Sequence, residues 1–178
     1  MTGFILSQIL GGVALLLTCM SYFTDNKRRF FAVQILANLF YASSFLAQGV
    51  FVGGINTIIS IVRVFTLFFF EKSEKNCPVS VFLIFSTAYL IAGNLCLQSE
   101  IDILAVVAYE LFNMAMFVSD MDATRILMIL PNIIIAIYNL LSSTFTNAAL
   151  DMIEVLVLFL VVMQSFSHKN ITKFKYLV

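Results

Sequence analysis

The sequence predicts an all-α, polytopic membrane protein with seven transmembrane helices. Hydrophobic residues make up 61% of the 178 residues and charged residues only 11%, whereas soluble domains carry about 25% charged residues. The mean hydropathy is +1.02. The apolar residues also fall in separate runs, each close to the length of about 20 residues that a spanning helix needs. These runs leave no room for a soluble domain beside them.

Seven apolar runs are long enough to cross a bilayer. They span residues 4–22, 30–48, 51–70, 79–97, 102–118, 125–142 and 148–166. The first run has no cationic segment before it and no A-x-A cleavage site, so we interpret it as a retained helix and not as a signal peptide. The fifth run is the weakest, because Asp102, Glu110 and Asn113 dilute its apolar character.

Basic residues lie at alternate connections between the predicted helices. Nine of the ten Lys and Arg residues follow helices one, three, five and seven, and the connections after helices two, four and six have none. The positive-inside rule therefore places the N-terminus outside and the C-terminus in the cytoplasm. The alternation also supports the helix count, because a wrong count would scatter the basic residues over both sides.

An internal repeat relates the two halves of the chain at an offset of 97 residues. The matched residues are Asp25 with Asp122, Arg28 with Arg125 and Tyr41 with Tyr138. Because the offset corresponds to four helices, each repeated helix crosses the membrane in the same direction as its counterpart. Helix four therefore inverts the chain between two parallel three-helix bundles. A site is expected at the interface of these bundles. The predicted parts are a first bundle over 1–70, a linker with helix four over 71–98, a second bundle over 99–167 and a cytoplasmic tail over 168–178.

Polar and small residues recur at helical spacing on most of the predicted helices, which places them on shared faces. Packing between membrane helices is one explanation, and contact with a solute is the other. Intramembrane charges favour the second, because they are costly and usually face a bundle interior or a wet cavity. The predicted solute-binding residues are Asn56, Ser60, Arg63, Glu110, Asn113, Asn139 and Glu154.

Arg63 is the one basic residue in the interior of a predicted span, since Arg125 stands at the first position of its run. At about 1.5 Å per residue, it lies roughly 18 Å from the outer end of its helix, and Glu110 lies about 12 Å from the outer end of helix five. Because these depths are similar, we expect Arg63 to pair with Glu110. The alternative is snorkelling of Arg63 towards phosphates at the cytoplasmic surface.

Glu154 is predicted to lie in the outer half of the membrane, where the repeat offset places it opposite Thr57 and next to Asn56. A buried glutamate at that position is expected to carry a proton together with the solute, or else to make a structural hydrogen bond. Pro131 removes a backbone hydrogen bond from helix six, and Gly53 and Gly54 permit bending of helix three. These three residues are predicted hinges, although kinks in membrane helices are also often static.

Enzyme and metal signatures are absent from the sequence. No H-E-x-x-H, G-x-S-x-G, P-loop or G-x-G-x-x-G pattern occurs, and the three cysteines have no C-x-x-C spacing. No basic patch with interleaved aromatic residues indicates nucleic-acid binding. We therefore expect no enzyme, cofactor or metal, but a transporter of a small polar solute by alternating access, with proton coupling. The alternative is a non-transporting receptor or assembly protein on the same scaffold, and a homo-oligomer is left open.

Four motifs carry a family resemblance: "DNKRRF" after helix one, "IVRVFTL" around Arg63, "IYNLLSS" in helix six and "DMIEVLVL" in helix seven. In their order and spacing, the chain resembles the YgjV-type bacterial inner-membrane proteins (Imp-YgjV) over nearly its whole length. The resemblance implies a multi-pass protein of the bacterial inner membrane.

The 3+1+3 plan also resembles that of the SWEET-type sugar carriers and the PnuC vitamin transporters, which is an architectural analogy. SWEET-type carriers place prolines in helices one, two, five and six and an asparagine in each third helix. Only Pro131 matches those prolines. Asn56 matches the asparagine of one third helix, but helix seven carries Glu154 in place of the other asparagine. PnuC-type sites contain tryptophan, which this chain lacks. The analogy therefore concerns the architecture and not the solute.

Overall fold

The computed structural model describes residues 2–48, 51–97, 99–142 and 145–175, and it is helical with no strand within these ranges. The helices are α1 (Thr2–Tyr22), α2 (Lys27–Gln48), α3 (Phe51–Lys72), α4 (Val79–Cys96), α5 (Asp102–Phe117), α6 (Met121–Leu141) and α7 (Phe145–Lys175). The all-α class and the seven helices are confirmed for the described residues. Of the predicted tail, α7 includes the residues up to Lys175, and residues 176–178 lie outside the described residues.

The helix boundaries differ most from the predicted ones at the C-terminus of α7, which continues from the predicted 166 to Lys175, and next at N-termini such as those of α6 and α2. Before α2, the side chain of Asn26 accepts a hydrogen bond from the Arg29 backbone N–H at 3.1 Å. Before α6, the side chain of Asp120 accepts one from the Ala123 backbone N–H at 2.7 Å. Capping side chains begin a helix, whereas hydropathy detects only its apolar part. The sequence therefore located the first apolar residues and missed the polar first turns.

Six of the seven helices in the described ranges are long and apolar enough to cross a membrane. The seventh, α5, has 16 residues. At about 1.5 Å per residue it reaches roughly 24 Å, which is less than the about 30 Å of a hydrocarbon core. This agrees with the sequence, in which the same segment is the weakest candidate.

The six helices other than α4 surround a common interior. Along the chain, α1 packs against α2, α2 against α3, α5 against α6 and α6 against α7. Contacts of α1 with α7 and of α3 with α5 complete the ring, and α4 packs against α3 and α5. Large apolar side chains remain exposed outside, such as Leu16 at 65% and Leu95 at 80%, as expected of surfaces that face lipid.

One end of this interior is filled by apolar side chains from all six ring helices. We call this cluster the apolar plug, and its buried members are Tyr22, Phe30, Phe31, Val64, Leu67, Ala115, Met116, Met128, Leu158 and Val161. At the same end, the α1–α2 and α5–α6 loops are joined, because Lys27 Nζ donates to the Val118 carbonyl and Arg125 Nη2 donates to the Thr24 carbonyl at 3.0 Å. The bundle is therefore tightly packed at this end.

Candidate functional site

A cavity of about 180 Å³ lies between the six ring helices, and the apolar plug residues Tyr22, Met116 and Met128 form part of its wall. Of its 27 lining residues, 18 carry a polar or charged side chain. Such a lining is unusual inside a membrane protein, where polar side chains are costly and tend to mark a solute or ion pathway. The cavity is therefore the candidate site.

Five of the seven predicted site residues line this cavity. They are Asn56, Ser60, Arg63, Asn139 and Glu154. The first three lie on α3 at a spacing of three to four residues, which places them on one face of the helix. That face is turned inwards because the opposite one carries exposed apolar residues such as Ile58, Val62 and Phe65.

Glu154 of α7 is buried in the cavity wall, with 5% of its surface exposed. Its Oε2 accepts a hydrogen bond from the Tyr22 hydroxyl at 3.2 Å, and its Oε1 accepts one from the Tyr41 hydroxyl at 2.5 Å. The carboxylate thus joins α7 to α1 and α2. Both of these partners are neutral, and no basic side chain among the described residues forms an ion pair with Glu154.

Asp151 lines the cavity one helical turn away from Glu154 on α7. Its Oδ2 accepts a hydrogen bond from Asn139 Nδ2 of α6 at 2.6 Å. Two carboxylates therefore lie on one wall of the cavity. The repeat-related tyrosines differ in their partners, since Tyr41 donates to Glu154 and Tyr138 donates to Asp102 of α5 at 3.1 Å.

Arg63 is 2% exposed and lines the cavity from α3. Its guanidinium carbon lies 5.4 Å from the centroid of the Tyr89 ring, a geometry that attracts a cation to the ring face. The Tyr89 hydroxyl is in turn 2.7 Å from Ser60 Oγ. The Nε and Nη1 atoms of Arg63 have no hydrogen-bond partner among the described residues.

The expected pairing of Arg63 with Glu110 is not present as a direct ion pair among the described residues, although the charge of Arg63 still interacts electrostatically with Glu110. The ion pairs of the described residues are those of Arg125 with Asp25 and Asp122, and Glu110 Oε1 is itself without a hydrogen-bond partner. The burial of Arg63 also argues against the alternative of snorkelling to the bilayer surface. Similar depth in the membrane did not ensure direct contact, because depth along a helix does not fix the face from which a side chain projects.

Glu110 and Asn113 do not line the cavity, contrary to the prediction. Asn113 Nδ2 donates to Ser86 Oγ at 3.0 Å and to the Phe82 carbonyl at 3.4 Å, so it joins α5 to α4. The face of α5 that lines the cavity carries Ala105, Tyr109, Phe112 and Met116. This face is less polar than its neighbour, and for that reason the sequence pattern indicated the wrong side of the helix.

A protein-family profile described as Imp-YgjV, bacterial inner membrane protein, matches residues 5–170. The chain belongs to this family. The match confirms the resemblance seen in the four motifs, and together with the apolar helices it shows a multi-pass protein of the bacterial inner membrane. Searches of curated proteins and of solved structures gave no match.

The predicted hinge residues of this YgjV-family chain occupy different environments. Pro131 is buried within a continuous α6. A Cβ atom on Gly53 would lie 2.8 Å from the Phe45 ring, so the glycine allows a close approach between α2 and α3, whereas the nearest atoms to a Cβ on Gly54 are 3.9 Å away. Hinge motion at the three positions stays a prediction.

The seven predicted site residues omit much of the polar lining of the cavity in this family member, for example Tyr22, Thr57 and Tyr109. Tyr22 was detectable, because it continues the spacing of Gly11 and Thr18 along one face of α1. Its position at the end of an apolar run marked it instead as a helix boundary. The described residues contain no group of three or more His, Cys, Asp or Glu side chains able to hold a metal.

Proposed function

We propose that this YgjV-family protein moves a small polar solute across the inner membrane by alternating access through the central cavity. The observation that carries the proposal is the lining of the cavity, where Arg63, Asp151 and Glu154 lie inside a membrane-embedded bundle. Packing alone does not require these three charges. The apolar plug closes one end, which is what a carrier in one of its two access states requires.

The two-bundle plan is part of the proposal. Consecutive packing of α1, α2 and α3, and again of α5, α6 and α7, supports two three-helix units, and α4 is then the connecting helix. The contacts of α1 with α7 and of α3 with α5 lie between these units. Rocking of one unit against the other would open the plug end and close the opposite end.

The test of transport begins with binding. Purified protein is screened by thermal shift against a library of polar metabolites, because a ligand that binds the folded form raises its melting temperature by mass action. Liposome uptake of each hit then separates a carrier from a receptor. Saturable uptake supports the proposal, whereas binding that Arg63→Gln abolishes, without any uptake, would favour the receptor function.

Proton coupling is the finer part of the proposal, with Glu154 as the proton-carrying group. Proteoliposomes with an imposed pH gradient should accumulate the solute. Glu154→Gln, which keeps the size of the side chain but cannot ionise, should abolish this accumulation and spare solute exchange at equal pH when the solute is saturating. Glu100→Gln, an exposed residue before α5, is the matched control. Equal proton-driven accumulation by Glu154→Gln would contradict the role.

The proposed orientation has the plug end in the cytoplasm, following the nine basic residues at that end and in the tail, because basic residues favour the cytoplasmic side. Labelling of Cys77, in the loop before α4, tests this orientation. A membrane-impermeant maleimide should label Cys77 in inside-out vesicles and not in intact spheroplasts. Because burial raises the pKa of the Cys77 thiol, the thiolate fraction and therefore the labelling rate should rise as the pH increases above neutrality. Labelling in spheroplasts would reverse the orientation.

A further inference from the structure

We infer that the cavity takes a small zwitterionic solute, whose carboxylate binds Arg63 and whose amine binds Glu154 and Asp151. The inference rests on the proposed function, since it names the class of solute for the same cavity. It depends on charges that face the cavity and form no ion pair among the described residues.

The first of these charges is on Arg63. In folded proteins nearly all buried polar groups have hydrogen-bond partners, and an exception requires an explanation such as an absent ligand. Arg63 is 2% exposed, and its Nε and Nη1 atoms have no partner among the described residues. Tyr89 packs against the guanidinium and fixes its position. A guanidinium held in this way presents planar N–H donors whose geometry matches a carboxylate.

The second group of charges lies across the cavity on α7. Asp151 and Glu154 are three residues apart and therefore share a face of the helix. Their hydrogen-bond donors are Asn139, Tyr22 and Tyr41, which are all neutral. Since the ion pairs of the described residues all involve Arg125, neither carboxylate is neutralised by a basic side chain. An ammonium group would supply the missing charge and up to three N–H donors.

The size of the cavity limits the solute further. A cavity of about 150 Å³ holds one benzene molecule, so the 180 Å³ available here suits a solute of roughly six to eight non-hydrogen atoms by the same comparison. Asn56, 2% exposed, also has its Oδ1 atom without a partner, and this oxygen accepts from an amine. One carboxylate and one amine on a short carbon chain fit the size, the two charges and the free acceptor together.

The test uses compounds that differ only in their charged groups. Glycine, alanine, 4-aminobutanoate and 5-aminopentanoate vary the distance between amine and carboxylate, while butanoate and butylamine carry one of the two groups. We expect at least one zwitterion to stabilise the purified protein in thermal-shift titrations, with butanoate and butylamine binding at least about tenfold more weakly because each leaves one charge unpaired. The best zwitterion should then be taken up by proteoliposomes.

Substitutions test whether Arg63 and Glu154 bind the two charged ends of the solute. Arg63→Gln and Glu154→Gln should each weaken binding of the best zwitterion by about tenfold or more. Arg28→Gln and Glu100→Gln remove the same groups at exposed positions and should leave binding unchanged. If Arg63→Gln does not fold, Arg63→Lys keeps the charge but not the planar fork. It should bind the zwitterion more weakly than the wild type, and unchanged affinity would overturn the role of Arg63.

The outcomes separate this inference from transport itself. If butanoate binds as strongly as every zwitterion, the inference of a zwitterionic solute is overturned and the solute is an anion. No binding of any zwitterion, with uptake of an uncharged solute such as glycerol, would overturn the solute class and leave transport standing. Binding of a zwitterion that depends on Arg63 and Glu154, without uptake, would support the inference and contradict the carrier function.

Discussion

Two buried arginines show how the two ends of the interior differ. Arg125, at the plug end, and Arg63, in the cavity, are each 2% exposed. Arg125 donates to Asp25 at 2.9 Å, to Asp122 at 2.8 Å and to the Thr24 carbonyl at 3.0 Å, so that only its Nε lacks a partner. Arg63 forms no ion pair with any residue that the structure describes, and it lies against the ring of Tyr89.

The same side chain therefore has two roles in one bundle. At the plug end, Arg125 joins the α1–α2 loop to α6, and its charge is neutralised within the chain, which stabilises the fold. In the cavity, Arg63 forms no ion pair among the described residues, and we propose that a solute neutralises its charge, at a cost in stability to the empty protein. Sites that bind ligands often retain such a cost. The two regions should consequently respond to substitution in opposite directions.

The largest expected effect is at Arg125. Arg125→Met keeps the length of the side chain but removes the links to Asp25, Asp122 and Thr24, and we expect it to lower the free energy of unfolding by about 3 kcal/mol. This value is at the low end for a broken buried pair because Asp25 is 92% exposed. Thermal unfolding in detergent measures it. Asp25→Asn should cost clearly less, and equal losses would show that the exposed carboxylate matters more than we infer.

The apolar plug gives the next effect. Leu158 is 0% exposed within the plug, and Leu158→Ala should lower the free energy of unfolding by about 2 kcal/mol through the void it leaves. Leu156, on the same helix, is 59% exposed and faces the region of lipid. Leu156→Ala should be close to neutral by the same measurement. Similar losses at the two positions would mean that the plug is not tightly packed.

A gain in stability is expected at Arg63. Arg63→Met removes a buried charge without a partner, and we expect the free energy of unfolding to rise by about 1 to 2 kcal/mol. Solute binding should be lost at the same time. A rise in the free energy of unfolding at Arg63, against a fall at Arg125, is the sharpest test of the difference between the cavity and the plug end. A decrease like that of Arg125→Met would indicate that Tyr89 and the cavity already neutralise Arg63.

The sequence predicted the fold better than the site for a physical reason. Helix number and extent follow from hydropathy over about 20 residues, which is a property of each segment by itself. The cavity depends on how each helix is rotated against its neighbours. On α3, exposed apolar residues oppose the polar stripe, so Asn56, Ser60 and Arg63 were placed correctly.

On α5 the pattern was ambiguous. Glu110 and Asn113 are the most polar residues of its middle, and they were assigned to the cavity for that reason. The structure shows that Asn113 bonds to Ser86 of α4, and Tyr109 lines the cavity instead. A helix that packs against α4 on one side and the cavity on the other has polar residues on both faces, and periodicity cannot distinguish them.

The smallest effects are expected at the repeat-related tyrosines, and they separate binding from packing. Tyr138 lines the cavity, but its hydroxyl donates to Asp102, which still accepts from the Ser99 backbone N–H at 2.8 Å. Tyr138→Phe should therefore lower the free energy of unfolding by about 1 kcal/mol and change solute affinity little. Tyr41→Phe removes the same group beside Glu154 and should weaken solute binding as well. Thermal-shift titrations of both variants with the same ligand measure the difference. Equal losses of affinity would show that the solute contacts the Tyr138 hydroxyl as well and that the binding site extends towards Asp102.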